Sequence, residues 1–275
     1  MYKFGLWRGE PPATVIQAFW HAGFGGERNP FTCCYYPHFA RCDDKEEACR
    51  YLQQFGKTRE EQARNFYCWA QTIPWPVCET LKHLPLNTFA KYVANAVPPL
   101  AVANLLTATD GLDVLFKAKT LVDCCAGMGG WLLAICFYRR CSVKRVYAID
   151  IDPDVLSVYR RIGRLIGVEV VPIIRDVRQM ERFPEADAIV GNPPCQQFSV
   201  ARQSAPRKLS IGFSVVEAFL RLARKAGVPA VMEEVYYKGM QTIASAHGFK
   251  SAVVSLRDYG AIQVKRDRFF AWRIP

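Results

Sequence analysis

Apolar and polar positions divide the chain into two parts with different periodicities. From about residue 119 onward, short apolar runs alternate with stretches that place apolar residues on one helical face. The runs lie at 119–125, 143–149, 168–174 and 186–190, and the helical stretches lie at 131–138, 152–165 and 211–225. Strands that alternate with helices are typical of a mostly parallel sheet with helices on both faces. We therefore predict a doubly wound, Rossmann-like α/β fold for this part of the chain.

Residues 1–110 do not show this alternation. They are rich in Pro, Trp and Cys, with a charged helical patch at 43–54 and an apolar helix at 99–108. Between these two helices, residues 56–88 are predicted to form a lightly structured insertion. The chain is thus predicted to combine one large α/β domain with a smaller N-terminal region.

The composition indicates a protein with a full hydrophobic core, since 51% of its 275 residues are hydrophobic. No apolar run is long enough to span a membrane and the N-terminus does not resemble a signal peptide, so a cytoplasmic protein without a membrane partner is expected. Most of its eleven cysteines are then expected to be reduced thiols. One of them can therefore be a nucleophile.

The positive charge of the chain is unevenly distributed. The formal net charge is +11, and residues 111–275 hold 25 Lys and Arg against 15 Asp and Glu. This excess is compatible with a polyanionic partner, although a solvated basic face would give the same count.

A glycine-rich turn follows the first predicted strand. Gly127, Gly129 and Gly130 let the backbone approach a ligand at the start of the next helix. Asp150 and Asp176 end the next two strands, where carboxylates can accept hydrogen bonds from ribose hydroxyls or an adenine amino group. Because such strand ends share one sheet edge, the pattern predicts a nucleoside site. A structural turn for the glycines and helix N-caps for the aspartates are the alternatives.

Cys195 follows the fourth predicted strand, in the segment Gly-Asn-Pro-Pro-Cys-Gln-Gln-Phe-Ser at residues 191–199. Two prolines fix the backbone before this cysteine, and the strand end puts it on the ligand-binding edge. A thiolate there can add to carbon 6 of cytosine, which turns the unreactive carbon 5 into an enamine carbon that accepts a methyl group. Residues 187–199 resemble the Asp-x-x-x-Gly-Gly-Pro-Pro-Cys-Gln-x-Phe-Ser motif of cytosine-C5 DNA methyltransferases, with Asn192 in place of the second glycine.

Other blocks resemble the same family, and the resemblance implies a methyltransferase that uses S-adenosylmethionine. Residues 123–130 resemble the family's cofactor loop, with a cysteine in place of its phenylalanine, and residues 150–152 and 176–177 resemble its ribose and adenine blocks. The cofactor-binding residues implied by the resemblance are Asp123, Cys125, Gly127, Gly129, Gly130, Asp150, Ile151, Asp176, Val177, Pro193, Asn95 and Val97.

The resemblance also implies which residues act on the base. Residues 232–235 resemble a Glu-Asn-Val motif whose glutamate hydrogen-bonds cytosine N3, so Glu233 takes that role beside Cys195 as nucleophile. Glu234 replaces the asparagine, where a second carboxylate could raise the pKa of Glu233 or point away. Arg266 and Arg268 match arginines that help hold the cytosine ring and the catalytic loop. Contacts to DNA with a flipped cytosine are expected from Gln196, Ser199, Arg202, Arg207 and Lys208.

The family blocks occur in a permuted order. Residues 91–99 resemble the family's final block yet precede the cofactor loop, and residues 12–15, 36–41 and 47–50 resemble the scaffold of its target-recognition domain. We therefore expect a circularly permuted chain, with a scaffold region at 1–90 and a catalytic domain at 91–275. Little sequence remains for target recognition. A second protein subunit is expected to supply it, unless sequence preference is weak.

Other interpretations of these motifs stay open. Residues 192–194 also begin the Asn-Pro-Pro-aromatic motif of amino-group methyltransferases, although Cys195 stands at the aromatic position. Carbon-5 methylation of RNA and a catalytically silent cofactor-binding subunit are the others. A cluster of possible zinc ligands lacks paired Cys-x-x-Cys spacing, so no metal is predicted. Its members are Cys33, Cys34, His38, Cys42 and Cys49.

Overall fold

A computed structural model describes residues 55–139, 141–198, 208–261 and 267–275. Its centre is a seven-stranded sheet. The strands are β1 Thr120–Cys124, β2 Arg145–Asp150, β3 Glu169–Ile174, β4 Ala188–Gly191, β5 Ala230–Glu234, β6 Lys250–Ser255 and β7 Asp267–Arg273. Their spatial order is β3-β2-β1-β4-β5-β7-β6. β1 to β5 pair in parallel, whereas β7 is antiparallel to both β5 and β6.

Helices precede the sheet and connect its strands. Before β1 come α1 Arg59–Ala70, α2 Trp75–Thr80, α3 Leu86–Asn95 and α4 Pro99–Ala108. The connecting helices are α5 Gly130–Cys136, α6 Pro153–Ile166, α7 Leu209–Ala226 and α8 Met240–Ala246. No described helix combines the length and the apolar character that crossing a membrane requires.

Two buried hydrophobic clusters cover the two faces of the sheet. Successive residues of a strand point to opposite faces, so Leu121 joins one cluster and Val122 joins the other. The first cluster holds residues from α1 to α6, and the second holds residues from α7 and α8. The predicted fold class, a mostly parallel sheet with helices on both faces, is confirmed.

The ends of α6 follow from residues that the sequence displays. Asp152 caps its N-terminus, since the Oδ1 atom accepts hydrogen bonds from the backbone N–H groups of Asp154 and Val155 at 2.9 and 3.2 Å. Pro153 takes the first helical position, where no donor is needed. Gly167 ends the helix with a φ of 75°, a left-handed conformation that glycine adopts without strain. This helix therefore lies where its sequence predicts.

The expectation that residues 56–88 are lightly structured is wrong. This stretch contains α1, α2 and the start of α3, and a capping box between Thr58 and Glu61 begins α1. Phe66 and Leu81 are buried in the same cluster that covers one face of the sheet. The stretch is therefore a helical layer of the main core.

Candidate active site

Three strands bring the predicted catalytic groups to one edge of the sheet. Gly191 at the end of β4 pairs with Cys124 of β1 on one side and with Met232 of β5 on the other. Cys195 lies four residues beyond Gly191, and Glu233 lies one residue beyond Met232. The end of β4 therefore runs between the glycine-rich turn after β1 and the carboxylates of β5.

The glycine-rich turn is held against the end of β2. The backbone N–H of Ala126 donates to the carbonyl oxygen of Ile149 at 3.0 Å, and the N–H of Gly127 donates to Asp150 Oδ2 at 2.9 Å. Cys125 has a φ of 55°, which is uncommon for a residue with a side chain. Such strained positions concentrate at functional sites.

Gly130 lies where no side chain fits. A Cβ atom built there would lie 2.8 Å from Val97 Cγ2 and 3.0 Å from the Val97 backbone nitrogen. The residues after α3 therefore pack directly on the turn, as the resemblance of residues 91–99 implies. A Cβ atom on Gly127 would meet no heavy atom within 4 Å, so the outer side of the turn is open.

Asp150 stands beside that open side. Its Oδ1 accepts a hydrogen bond from the backbone N–H of Asp152 at 3.1 Å, while Oδ2 accepts from Gly127. Each carboxylate oxygen has a second lone pair, so these bonds leave capacity for ribose hydroxyls. Ile151 is 69% exposed and Ile174, opposite Asp150 in the register of β2 and β3, is 62% exposed. An open turn, a carboxylate and two exposed apolar side chains fit a nucleoside.

Asp176 forms a local cap. Its Oδ1 accepts from the backbone N–H of Arg178 at 2.9 Å, and its Oδ2 forms an ion pair with Arg178 Nη2 at 2.5 Å. The Arg178 guanidinium lowers the pKa of this carboxyl. The structure thus shows the N-cap alternative for Asp176, and its predicted contact with adenine stays a prediction. Val177, next to it, is buried.

Asp123 lies beneath the turn rather than on its open side. The side chain is fully buried, and Oδ2 accepts a hydrogen bond from the Tyr159 hydroxyl at 2.9 Å. Burial raises the pKa of Asp123 well above its usual value. The Tyr159 ring lies against Gly129, where a Cβ atom would be 3.1 Å from Cε2. In the structure Asp123 reaches the turn through Tyr159.

Cys195 begins a short 3-10 turn, Cys195–Gln197, and is half-buried. The backbone N–H of Phe198 donates to the carbonyl oxygen of Cys195 at 2.9 Å. The Phe198 ring is buried against Phe213 and Tyr237, with centroid distances of 5.1 and 5.7 Å. Pro193 is buried and Pro194 exposed. The thiol is thus carried on a turn fixed by prolines before it and an aromatic cluster after it.

Glu233 is joined to two neighbouring strands by its carboxylate. Arg268 of β7 forms an ion pair, with Nε 2.9 Å from Glu233 Oε1. Asn192, just after β4, donates from Nδ2 to Glu233 Oε2 at 2.6 Å and to the Glu233 carbonyl oxygen at 3.1 Å. Only 3% of Glu233 is exposed. The structure therefore brings two predicted site residues, Glu233 and Arg268, together with Asn192.

Glu234 is fully buried beside this pair. Its Oε1 accepts a hydrogen bond from the backbone N–H of Val235 at 2.6 Å. Burial and then the adjacent Glu233 charge raise the pKa of Glu234 well above its usual value. Burial therefore favours the neutral acid at Glu234 over a second negative charge beside Glu233.

Several predicted site residues fall outside the described part of the chain. They are Arg266, Ser199, Arg202 and Arg207, together with the side chain of Gln196. The scaffold block at 12–50, including the possible zinc ligands, also lies outside it. Lys208 is described and exposed, and its backbone N–H donates to Gln197 Oε1 at 2.7 Å.

Asn192 and Tyr159 complete the site. The sequence assigned no role to Asn192, whose signal was its departure from the glycine of the motif. Tyr159 follows residues 150–152 as part of the resemblance to the ribose block, which does not indicate its bond to Asp123. Neither signal identifies a partner, because the contacts join residues 41 and 36 positions apart.

One protein-family model matches part of the chain. Residues 119–223 match the family described as C-5 cytosine-specific DNA methylase. This stretch begins before β1 and ends within α7, so it includes the glycine-rich turn and Cys195. No curated protein matches the chain.

Solved structures resemble the fold at low sequence identity. PH0851 is 16% identical with a TM-score of 0.48, covering 63% of this chain and 45% of its own. An O-methyltransferase family protein from Burkholderia thailandensis is 12% identical with a TM-score of 0.48, covering 78% and 71%. NSun6 from Pyrococcus horikoshii, solved with SFG, is 16% identical with a TM-score of 0.46, covering 64% and 51%. The chain spans about half the length of the first structures it matches.

The family match and the strand order together give the chain the Rossmann-like fold of S-adenosylmethionine-dependent methyltransferases. S-adenosylmethionine is the cofactor that this fold binds. The predicted fold and cofactor are thereby confirmed.

Proposed function

We propose that the chain transfers a methyl group to carbon 5 of cytosine in DNA, with Cys195 as the nucleophile. One observation carries the proposal: the turn that holds Cys195 follows β4, between the glycine-rich turn and the Glu233–Arg268 ion pair. A thiol for carbon 6 and a carboxylate for N3 are the two groups that this chemistry requires on either side of a pyrimidine ring. The family match over residues 119–223 supports the same reaction.

The covalent step belongs to Cys195. Its thiolate forms a bond to carbon 6, which places electron density on carbon 5. Glu233 accepts a hydrogen bond from protonated N3 and so stabilises the ring while the sulfur is attached. After methylation, loss of the carbon-5 proton to a base and departure of the thiolate restore the aromatic ring. The turn must hold the sulfur at the ring face, which the fixed backbone around Cys195 favours.

The cofactor would lie along the glycine-rich turn. Asp150 would accept hydrogen bonds from the ribose hydroxyls, and the exposed side chains of Ile151 and Ile174 would flank the adenine. S-adenosylmethionine supplies an electrophilic methyl group on a sulfonium. Three further predicted cofactor-binding residues lie nearby. Cys125 belongs to the turn itself, and Asn95 and Val97 belong to the segment that packs against it. Arg266, Gln196, Ser199, Arg202, Arg207 and Lys208 keep their proposed roles toward the base and the DNA.

The target cytosine must leave its base stack, because its carbon 6 is inaccessible inside a duplex. We propose that sequence recognition comes from a second subunit, or is weak, and that the chain is circularly permuted as the order of its motifs implies. The net charge of +11 supports a polyanionic substrate.

Methyl transfer to defined substrates tests this proposal. Labelled S-adenosylmethionine is incubated with cytosine-containing single-stranded DNA, duplex DNA and RNA, and the products are digested to nucleosides. We expect 5-methyldeoxycytidine from DNA with the wild-type protein and none with Cys195→Ser. Product from RNA alone would move the reaction to RNA, and an N4- or N6-methylated nucleoside would overturn carbon-5 chemistry. Absence of every product, with S-adenosylmethionine still bound, would select a silent subunit.

A further inference from the structure

Asn192 occupies a position where the motif that this segment resembles has glycine. The chain therefore has a side chain here that the motif lacks. Its backbone N–H donates to the carbonyl oxygen of Cys124 at 3.0 Å, which extends the pairing of β1 and β4 by one residue. The backbone at residue 192 is therefore held by the sheet itself. This pairing fixes the direction of the Cα–Cβ bond, so the side-chain amide starts from a defined position.

The amide contacts Glu233 twice. Nδ2 lies 2.6 Å from the carboxylate oxygen Oε2 and 3.1 Å from the backbone carbonyl oxygen of the same residue. A carbonyl oxygen can only accept, so the atom that contacts it must be the amide nitrogen rather than the amide oxygen. One NH₂ group thus ties the carboxylate to its own backbone, which restricts the rotation of the Glu233 side chain.

The other carboxylate oxygen is bound from the opposite strand. Arg268 on β7 forms an ion pair with Nε 2.9 Å from Oε1, so the two carboxylate oxygens are contacted from two different strands. The bond from Asn192 to Oε2 is stronger when the carboxyl group is ionised than when it is neutral. Glu234, on the same strand, is fully buried, and burial followed by the Glu233 charge raises its pKa, which favours the neutral acid there.

We propose that Asn192 is a positioning residue that holds the Glu233 carboxyl group in one orientation for N3 of the target base. The inference rests on the proposed function for the identity of the base, but the contact with Glu233 stands on geometry alone. In a chain with glycine at 192, the Glu233 carboxyl group would lose the donor that holds it from the end of β4.

Two readouts test the role in the full-length protein. The first is the titration of the Glu233 carboxyl, followed by ¹³C NMR and assigned with Glu233→Gln. We expect Asn192→Gly to raise the pKa of Glu233 by about one pH unit, the loss expected for one charge-assisted hydrogen bond. Asn192→Asp should raise it further, because a like charge then replaces the donor. Asn104→Ala serves as the control, since it removes other amide hydrogen bonds, one donated to the Tyr259 carbonyl and one accepted from Arg139.

The second readout is the pH dependence of kcat/KM for methyl transfer to DNA. We expect the limb of the profile that Glu233 controls to move to higher pH by the same amount in Asn192→Gly, with the KM for S-adenosylmethionine unchanged and with no such shift in Asn104→Ala. An unchanged Glu233 titration in a folded Asn192→Gly protein would overturn the proposal. A raised pKa in a protein that methylates neither DNA nor RNA would uphold the contact and instead overturn the proposed function.

Discussion

The two halves of the sheet edge are held together by different interactions. Around β1 to β3, the glycine-rich turn is shaped by backbone hydrogen bonds and close packing, and its carboxylates form local contacts such as the cap at Asp176. Around β4, β5 and β7, buried side chains carry the structure: Glu233, Glu234 and Arg268 lie together with little exposure. Substitutions in the first half should therefore affect stability and binding by altering packing, and substitutions in the second half by altering buried charge.

The largest expected difference between the two halves is in the free energy of unfolding that is lost when an ion pair is removed. Arg268→Ala removes the guanidinium that pairs with the buried Glu233 carboxylate, and we expect a loss of about 3 kcal/mol in the free energy of unfolding. Arg178→Ala removes the exposed partner of Asp176, where solvent screens the charge, and should cost less than about 1 kcal/mol. Urea unfolding of both variants measures the difference. Equal losses of unfolding free energy in the two variants would contradict the proposed difference between the two halves.

Packing at the turn gives the next largest effect. In Gly130→Ala the new methyl group would press on Val97, and we expect a loss of about 1–3 kcal/mol in unfolding free energy together with weaker binding of S-adenosylmethionine. Gly127→Ala meets no neighbour, but its φ of 52° is costly for alanine by about 1 kcal/mol. Calorimetric binding and urea unfolding compare the two. A Gly127→Ala loss that exceeds the Gly130→Ala loss would contradict the packing account.

Glu234 gives the smallest effect, and it depends on pH. In the unfolded chain a glutamate ionises above about pH 4.3, whereas burial raises the pKa of Glu234 in the folded protein. Rising pH therefore favours unfolding through Glu234, so stability present at pH 4 is lost as pH increases toward the folded pKa. Glu234→Gln should gain at least about 1 kcal/mol relative to wild type at pH 8 compared with pH 4.

The measurement is urea unfolding of wild type and Glu234→Gln at both pH values. Glu217→Gln, at an exposed position of α7, is the matched control and should show no pH-dependent gain. A difference between wild type and Glu234→Gln that is the same at both pH values would show that Glu234 is ionised in the folded protein.

The sequence predicts the parallel strands because each is a short apolar run between turn residues. β1 to β4 begin within two residues of their predicted starts. The sequence also predicts the helix after β2, whose cap, first proline and final glycine are all visible. It fails at 56–88, where α2 has only six residues and the buried residues of α1 and α2 become apparent only from their packing in the core.

The candidate site divides in the same way. Local motifs predict Cys195, Glu233 and the glycine-rich turn, because each motif lies within a few consecutive residues. The bond from Asn192 to Glu233 and the bond from Tyr159 to Asp123 could not be predicted, since they depend on strand register and helix packing. The burial of Glu234 follows from its place in a central strand, which a pair of charged residues does not indicate.

Formation of a covalent adduct tests the central claim most directly. The wild-type protein, S-adenosylmethionine and DNA containing 5-fluorodeoxycytidine are mixed, and the denatured protein is digested and analysed by mass spectrometry. Fluorine at carbon 5 cannot leave as a proton does, so the bond to carbon 6 persists. We predict a DNA adduct on the peptide that contains Cys195, and no adduct with Cys195→Ser. An adduct on a different residue, or methyl transfer to ordinary DNA without any adduct, would contradict Cys195 as the nucleophile.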